Sequence, residues 1–155
     1  MNALHWPGLD WLALAGGGNR CGWQAGALDD LARFGARLPQ GLSGTRAGAA
    51  IGAAVFACAA AVRPMAMDGG DTDNAPVPVP DAARQPATQA LVMPTRHDPG
   101  RPPLFRELGR TCWQPSQPVP VSTWDCRRGT PVKAAWELGR SDAAALLSRG
   151  CVTLS

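Results

Sequence analysis

Apolar and polar positions alternate between two periods along this chain, and the changes of period mark its elements. Trp11 to Ala15, WLALA, is a short apolar run closed by three glycines, the pattern of a buried strand. After Gly22 the period lengthens. Trp23, Ala27, Leu31 and Phe34 recur at helical spacing with Leu28 beside them, and Asp29, Asp30 and Arg33 fall off that face. Gly35 stands where a helix C-cap belongs. Gly41 to Thr45, introduced by Pro39, predicts a second short strand, and Ile51 and Val55 with Phe56 predict a helix starting after Arg46. That helix should stop at Arg63-Pro64, because proline disfavours helix in the residue before it. Two consecutive strand–turn–helix units predict an α/β fold with a mostly parallel central sheet and helices packed on it.

The pattern weakens after Met65 and resumes in pieces. The proline-rich stretches 75–103 and 115–120 predict loops, with Gln89 to Met93 inside the first as a third strand. Thr111 to Gln114 is a further short strand candidate. The last element is a helix with Thr130 as N-cap and Pro131 at its first position. Val132, Ala135, Trp136, Ala143, Leu146 and Leu147 supply its apolar face, and Gly150 ends it. Nothing repeats at a solenoid period, and the 155 residues predict one domain over 1–155.

Composition narrows the function classes. The net charge of +3 is modest, and the basic residues are scattered, with Lys133 the only lysine, so no basic stripe points to nucleic acid. Cys21, Cys58, Cys112, Cys126 and Cys151 are odd in number and lack metal-ligand spacing, which predicts reduced thiols and a cytoplasmic protein. No basic segment precedes an apolar run near Asp10, so no secretory signal is expected. The alanine-rich run from Ala47 to Val62 is short for a membrane span and fits a buried helix. Asp68, Asp71, Asp73 and Asn74 do not match EF-hand spacing, His5 and His97 make no ligand pair, and no metal or cofactor is expected. One P-x-x-P match at Pro115 to Pro118 is weak evidence for an SH3 ligand.

Two stretches carry candidate chemistry. Gly16 to Gly22 joins a strand to a helix through glycines, so its amides and the helix N-terminus form a site for negative charge. A dinucleotide fingerprint would need glycine at Cys21, and a phosphate loop would need Gly-Lys-Ser/Thr. A tight turn with no ligand fits the same residues. Gly44-Thr45-Arg46-Ala47-Gly48 has the small-residue frame of a nucleophile elbow, G-x-S-x-G, with Arg46 at the apex where serine belongs.

Taken together, LALAGGGNRCGWQAG from Leu12 to Gly26, the turn from Gly44 to Gly48, and Asp68-Gly69-Gly70 followed by Asp73 to Val77 make the chain resemble the patatin-like phospholipases. The tail from Gln114 to Asp125 and Trp136 to Arg140 is similar to C-terminal segments of bacterial members. The resemblance implies a reduced three-layer α/β fold and lipid acyl-ester hydrolysis by a serine–aspartate dyad, an activity of lipid degradation. It implies Asp68 as the dyad base in the Asp68-Gly69-Gly70 motif, an oxyanion hole at Gly16, Gly17 and Gly18 with Arg20, and an elbow framed by Gly44 and Gly48. It also implies a lipid or acyl ester as partner, with peripheral membrane contact.

The chain departs from that family twice. Arg46 replaces the nucleophile, and a guanidinium, protonated at any ordinary pH, cannot attack a carbonyl. Ser43, Thr45 and Ser122 have no motif that places them at the apex. The elbow and Asp68 are also separated by only about one helix, which the resemblance reads as an internal deletion near 62–67. Three readings stay open: a catalytically impaired domain, a pseudoenzyme; an active hydrolase whose Arg46 is an error or is bypassed; and a remnant without function.

Overall fold

The computed structural model describes residues 4–37, 39, 41–58, 89–124 and 129–154. In chain order these form β1 (Leu4–His5), a 3-10 turn (Trp6–Gly8), β2 (Trp11–Leu14), a second 3-10 turn (Gly18–Arg20) and α1 (Cys21–Arg33). Then come β3 (Gly41–Gly44), α2 (Ala47–Cys58), β4 (Ala90–Met93), β5 (Leu104–Glu107), β6 (Arg110–Trp113), α3 (Gly129–Ser148) and β7 (Val152–Thr153). Five strands make one sheet in the order β3-β2-β4-β6-β5. All its pairs are parallel except β5, which runs antiparallel to β6 at one edge. The three expected strands therefore lie side by side in one sheet. Leu14, Gly44 and Met93 are in register, so β2, β3 and β4 end level and send their following loops to the same rim.

Side chains of alternate residues face opposite sides of a strand, and the core follows that rule. Leu12, Leu14, Leu42, Leu91, Met93 and Trp113 turn to one face and pack with Trp23, Ala27, Leu28 and Leu31 of α1 and Leu138, Ala143 and Leu146 of α3. The other face carries Ala13, Val92 and Cys112, with Trp11 and Phe105 against them. Trp23 meets Trp113 edge to face, ring centroids 5.6 Å apart. The helices α1 and α3 cross at two glycines: the Trp136 backbone lies over Gly26, and the Trp23 carbonyl lies over Gly139.

Asp142 sits buried beneath this crossing. One of its oxygens accepts from Trp23 Nε1 at 2.8 Å and from the Ser116 amide at 3.0 Å. Truncation would strand both donors, each worth about 1–3 kcal/mol when buried without a partner. Asp142→Ala should therefore lower unfolding free energy by roughly 2–4 kcal/mol, read as a drop in urea midpoint. A midpoint equal to the parent's would contradict this role.

Several expectations are corrected. Phe34 lies beyond the end of α1 and is 59% exposed rather than packed on its apolar face. Asp30, placed off that face by periodicity, is buried and paired to Arg140 at 3.5 Å. Trp136 turns outward from α3, while Leu138 and Asp142 take interior positions. The hairpin of β5 and β6 went unrecognised because its two-residue loop is Leu108-Gly109, with φ of 49° and 77°. That double positive φ usually needs Asn-Gly or Asp-Gly, and leucine hides the signal. The pairing of β1 with β7 was not anticipated either. The expected stop at Arg63-Pro64, the stretch 62–67 and the acidic segment from Asp68 lie outside the described residues. Among the described residues no helix is long and apolar enough to cross a membrane.

Candidate functional site

Ligands of parallel α/β sheets collect at the carboxyl ends of strands, in the crevice where successive connections leave in opposite directions. Here β2 connects onward to β3 on one side while β4 lies on the other. The loops after these three strands meet at a cleft of about 310 Å³ lined by Gly16, Gly17, Gly18, Arg20, Arg46, Pro94, Thr95, Arg96, Thr123 and Trp124.

The floor is tied down from α1. Gln24, fully buried, donates from its amide to the carbonyls of Ala15 at 2.9 Å and Met93 at 2.7 Å, clamping the ends of β2 and β4. Thr95 Oγ1 donates to the Gly16 carbonyl at 3.0 Å, so the Thr95 side chain lies flat on the glycine loop. A Cβ at position 17 would occupy the same space, which is why glycine stands there. Gly18 has φ of 55° and passes close under the Thr123 carbonyl, which accepts from the Asn19 amide at 3.2 Å. The amides of Asn19, Arg20 and Cys21 bond to the protein's own carbonyls, whereas no hydrogen bond of the Gly16 or Gly18 amide occurs among the described residues.

Facing that loop is the turn after β3. The Thr45 amide donates to the Leu14 carbonyl at 3.1 Å, closing the strand, and Gly48 donates back to Thr45 at 2.9 Å to start α2. Between them Arg46 takes φ of 52°, a left-handed conformation that costs a side-chain-bearing residue roughly 1–2 kcal/mol. Only a tightly constrained turn holds it. A Cβ at Gly44 would meet the Ala49 backbone at 2.5–2.6 Å, and one at Gly48 would strike the Leu14 carbonyl. The expected small-residue frame is thus a physical requirement, and Arg46 is lifted to its apex with an exposed side chain.

The structure therefore brings Gly16, Gly17, Gly18, Arg20 and Arg46 to one cleft. Asp68, Gly69 and Gly70 fall outside the described residues. Ser43 and Thr45 are buried below the turn, and Ser43 Oγ accepts from Trp11 Nε1 at 3.0 Å, so neither presents a hydroxyl at the apex. Among the described residues no cluster of His, Cys, Asp and Glu could hold a metal ion. The chain matches no protein-family model, no curated protein and no solved structure.

Sequence reasoning missed that Thr95, Arg96, Thr123 and Trp124 line the cleft. One signal for Arg96 was available: it follows a predicted central strand by three residues, on the rim where parallel sheets hold their ligands. Thr123 and Trp124 come from a loop far along the chain, and no local pattern places them here.

Cys21 opens α1 beneath the cleft, its Sγ 3.7 Å from the Ala15 carbonyl. Burial pushes its thiol up to about 11, opposed in part by the Gly17 amide. Burial, then Glu107, pushes Cys112 upward as well. The folded chain thus keeps a proton that the unfolded chain loses near 9.0, so stability falls as pH rises from about 9 to 11. The chain has no tyrosine and one lysine, which leaves the cysteines to dominate that window. The urea-unfolding free energy should fall between pH 8 and pH 10.5 by roughly 1–2 kcal/mol. Cys21→Ala should flatten the slope; an unchanged slope would contradict the assignment.

Proposed function

We propose that this chain is a catalytically silenced acyl-ester hydrolase domain of the patatin-like kind. The observation that carries this reading is Arg46, held at φ 52° on a glycine-framed strand-to-helix turn and opening into the same cleft as the Gly16–Gly18 loop. A hydrolytic elbow needs that strained apex, with backbone donors across a narrow gap, because nucleophile and oxyanion must meet at one carbonyl. In this reading the ligand is an acyl ester, taken from lipid by peripheral contact, and Asp68 is the base the family would use.

Two proteins test it on a short-chain p-nitrophenyl ester. The chain as it stands should show no turnover above the buffer blank, and Arg46→Ser should show turnover. Activity in the unsubstituted chain overturns the silencing, and a folded but inactive Arg46→Ser overturns the elbow.

A further inference from the structure

The cleft is positively charged in a way the hydrolase reading does not use. Arg20, Arg46 and Arg96 come from the loops after β2, β3 and β4, three strands that end level, and all three line the one cavity. Arg101, Arg33 and Arg140 elsewhere on the surface are paired with carboxylates. None of the three cleft arginines has an ion-pair partner among the described residues, and no described acidic residue lines the cavity. The helices α1 and α2 start at this rim, and neither has an acidic residue in its first turn to offset its positive end.

Gathering three guanidiniums without counter-charge is unfavourable by mutual repulsion, and a bound anion removes that cost. Each guanidinium offers five N–H donors in a planar fork. A carboxylate has two oxygens and one charge, too few for three forks. A phosphate monoester has three terminal oxygens and close to two charges at neutral pH, which matches them. Trp124, 76% exposed at the mouth of the cleft, adds a flat apolar surface beside the charge. We propose that this cleft binds a phosphate monoester, its phosphate held by Arg20, Arg46 and Arg96 and its apolar body laid against Trp124. The proposal stands on the three guanidiniums and goes beyond the hydrolase reading, since it needs no ancestral nucleophile.

Calorimetric titration of the full chain with phenyl phosphate, inorganic phosphate and benzoate at low ionic strength tests it. Phenyl phosphate should bind most tightly. Arg20→Gln, Arg46→Gln and Arg96→Gln should each weaken it about tenfold or more, with Arg→Lys at the same positions recovering part of the loss. Trp124→Ala should weaken phenyl phosphate and leave inorganic phosphate unchanged. Arg149→Gln, at the exposed end of α3, should change nothing. The source of the phosphate is read from sedimentation with phosphatidylcholine vesicles carrying phosphatidic acid, whose head group is also a phosphate monoester. Recruitment that the cleft variants abolish assigns a lipid source, and titration with phenyl phosphate alone assigns a soluble one. The proposal is overturned if the folded chain binds neither, if benzoate binds as tightly as phenyl phosphate, or if Arg149→Gln weakens binding as much as the cleft variants. A silent Arg46→Ser esterase assay leaves these outcomes unaffected, so the two readings fail separately.

Discussion

Gly139→Val should destabilise the chain by about 3 kcal/mol or more, and Gly26→Val should do the same. A Cβ at Gly139 would run into the Trp23 carbonyl and sit 2.8 Å from the Ala27 amide, while one at Gly26 would strike the Trp136 carbonyl. These are backbone atoms of the facing helix, so no side chain can rotate away. The helices would have to separate, drawing Trp23 from Trp113 and from Asp142. Gly22→Ala provides the contrast in the same helix. Its new methyl would meet only ordinary contacts at 3.4–3.6 Å, and replacing a helical glycine by alanine ordinarily gains about 0.5–1 kcal/mol. Urea midpoints of the three variants decide the matter. If Gly139→Val and Gly22→Ala shift in the same direction by similar amounts, the close crossing of α1 and α3 is wrong.

Arg46→Ser is the other large expected change, from no turnover to a rate at least tenfold above the blank. The expectation rests on what the substitution changes: serine restores a hydroxyl able to attack a carbonyl, which a guanidinium cannot do, and it removes the Arg46 side chain from the lining of the cleft. The Gly16–Gly18 loop supplies candidate donors opposite the apex. Serine also tolerates the turn as well as arginine does, since neither is β-branched. Asp68→Asn in the Arg46→Ser background should return the rate to the blank if Asp68 is the base. Turnover that survives Asp68→Asn would remove that role while leaving the elbow intact.

Much of the sheet was legible because β2 and β4, at its centre, are short apolar runs closed by glycine or proline. Two strand–turn–helix units also restrict topology to a parallel arrangement. The glycine-framed turn was legible for a related reason: Gly44 and Gly48 are demanded by backbone passing within van der Waals distance, and such demands are written in residue type. Asp30 was not legible, since its burial depends on Arg140, 110 residues away. Leu108 was not legible because its positive φ runs against its residue type. The charge of the cleft was spread over three loops, and no window along the chain contains more than one of its arginines. Only the level ends of β2, β3 and β4 bring them together.

The pairing of β1 with β7 bears on how the molecule is made. Leu4 pairs with Val152 and His5 with Thr153, so the first and last strands among the described residues close on each other. Within the main sheet, β2 waits for β4, whose partner residues Trp11 and Ala90 are separated by most of an average domain. Parallel pairings of such long sequence separation carry a loop-closure cost before any contact repays it, and they fold slowly. On the ribosome, β2, α1, β3 and α2 emerge long before β4 can cover the inner side of β2. Residues of β7 that complete the pairing with β1 follow it by 148 positions and emerge later still. The chain spends that interval with an apolar strand edge open, and its yield in the cell depends on how well that edge is shielded until β4 emerges.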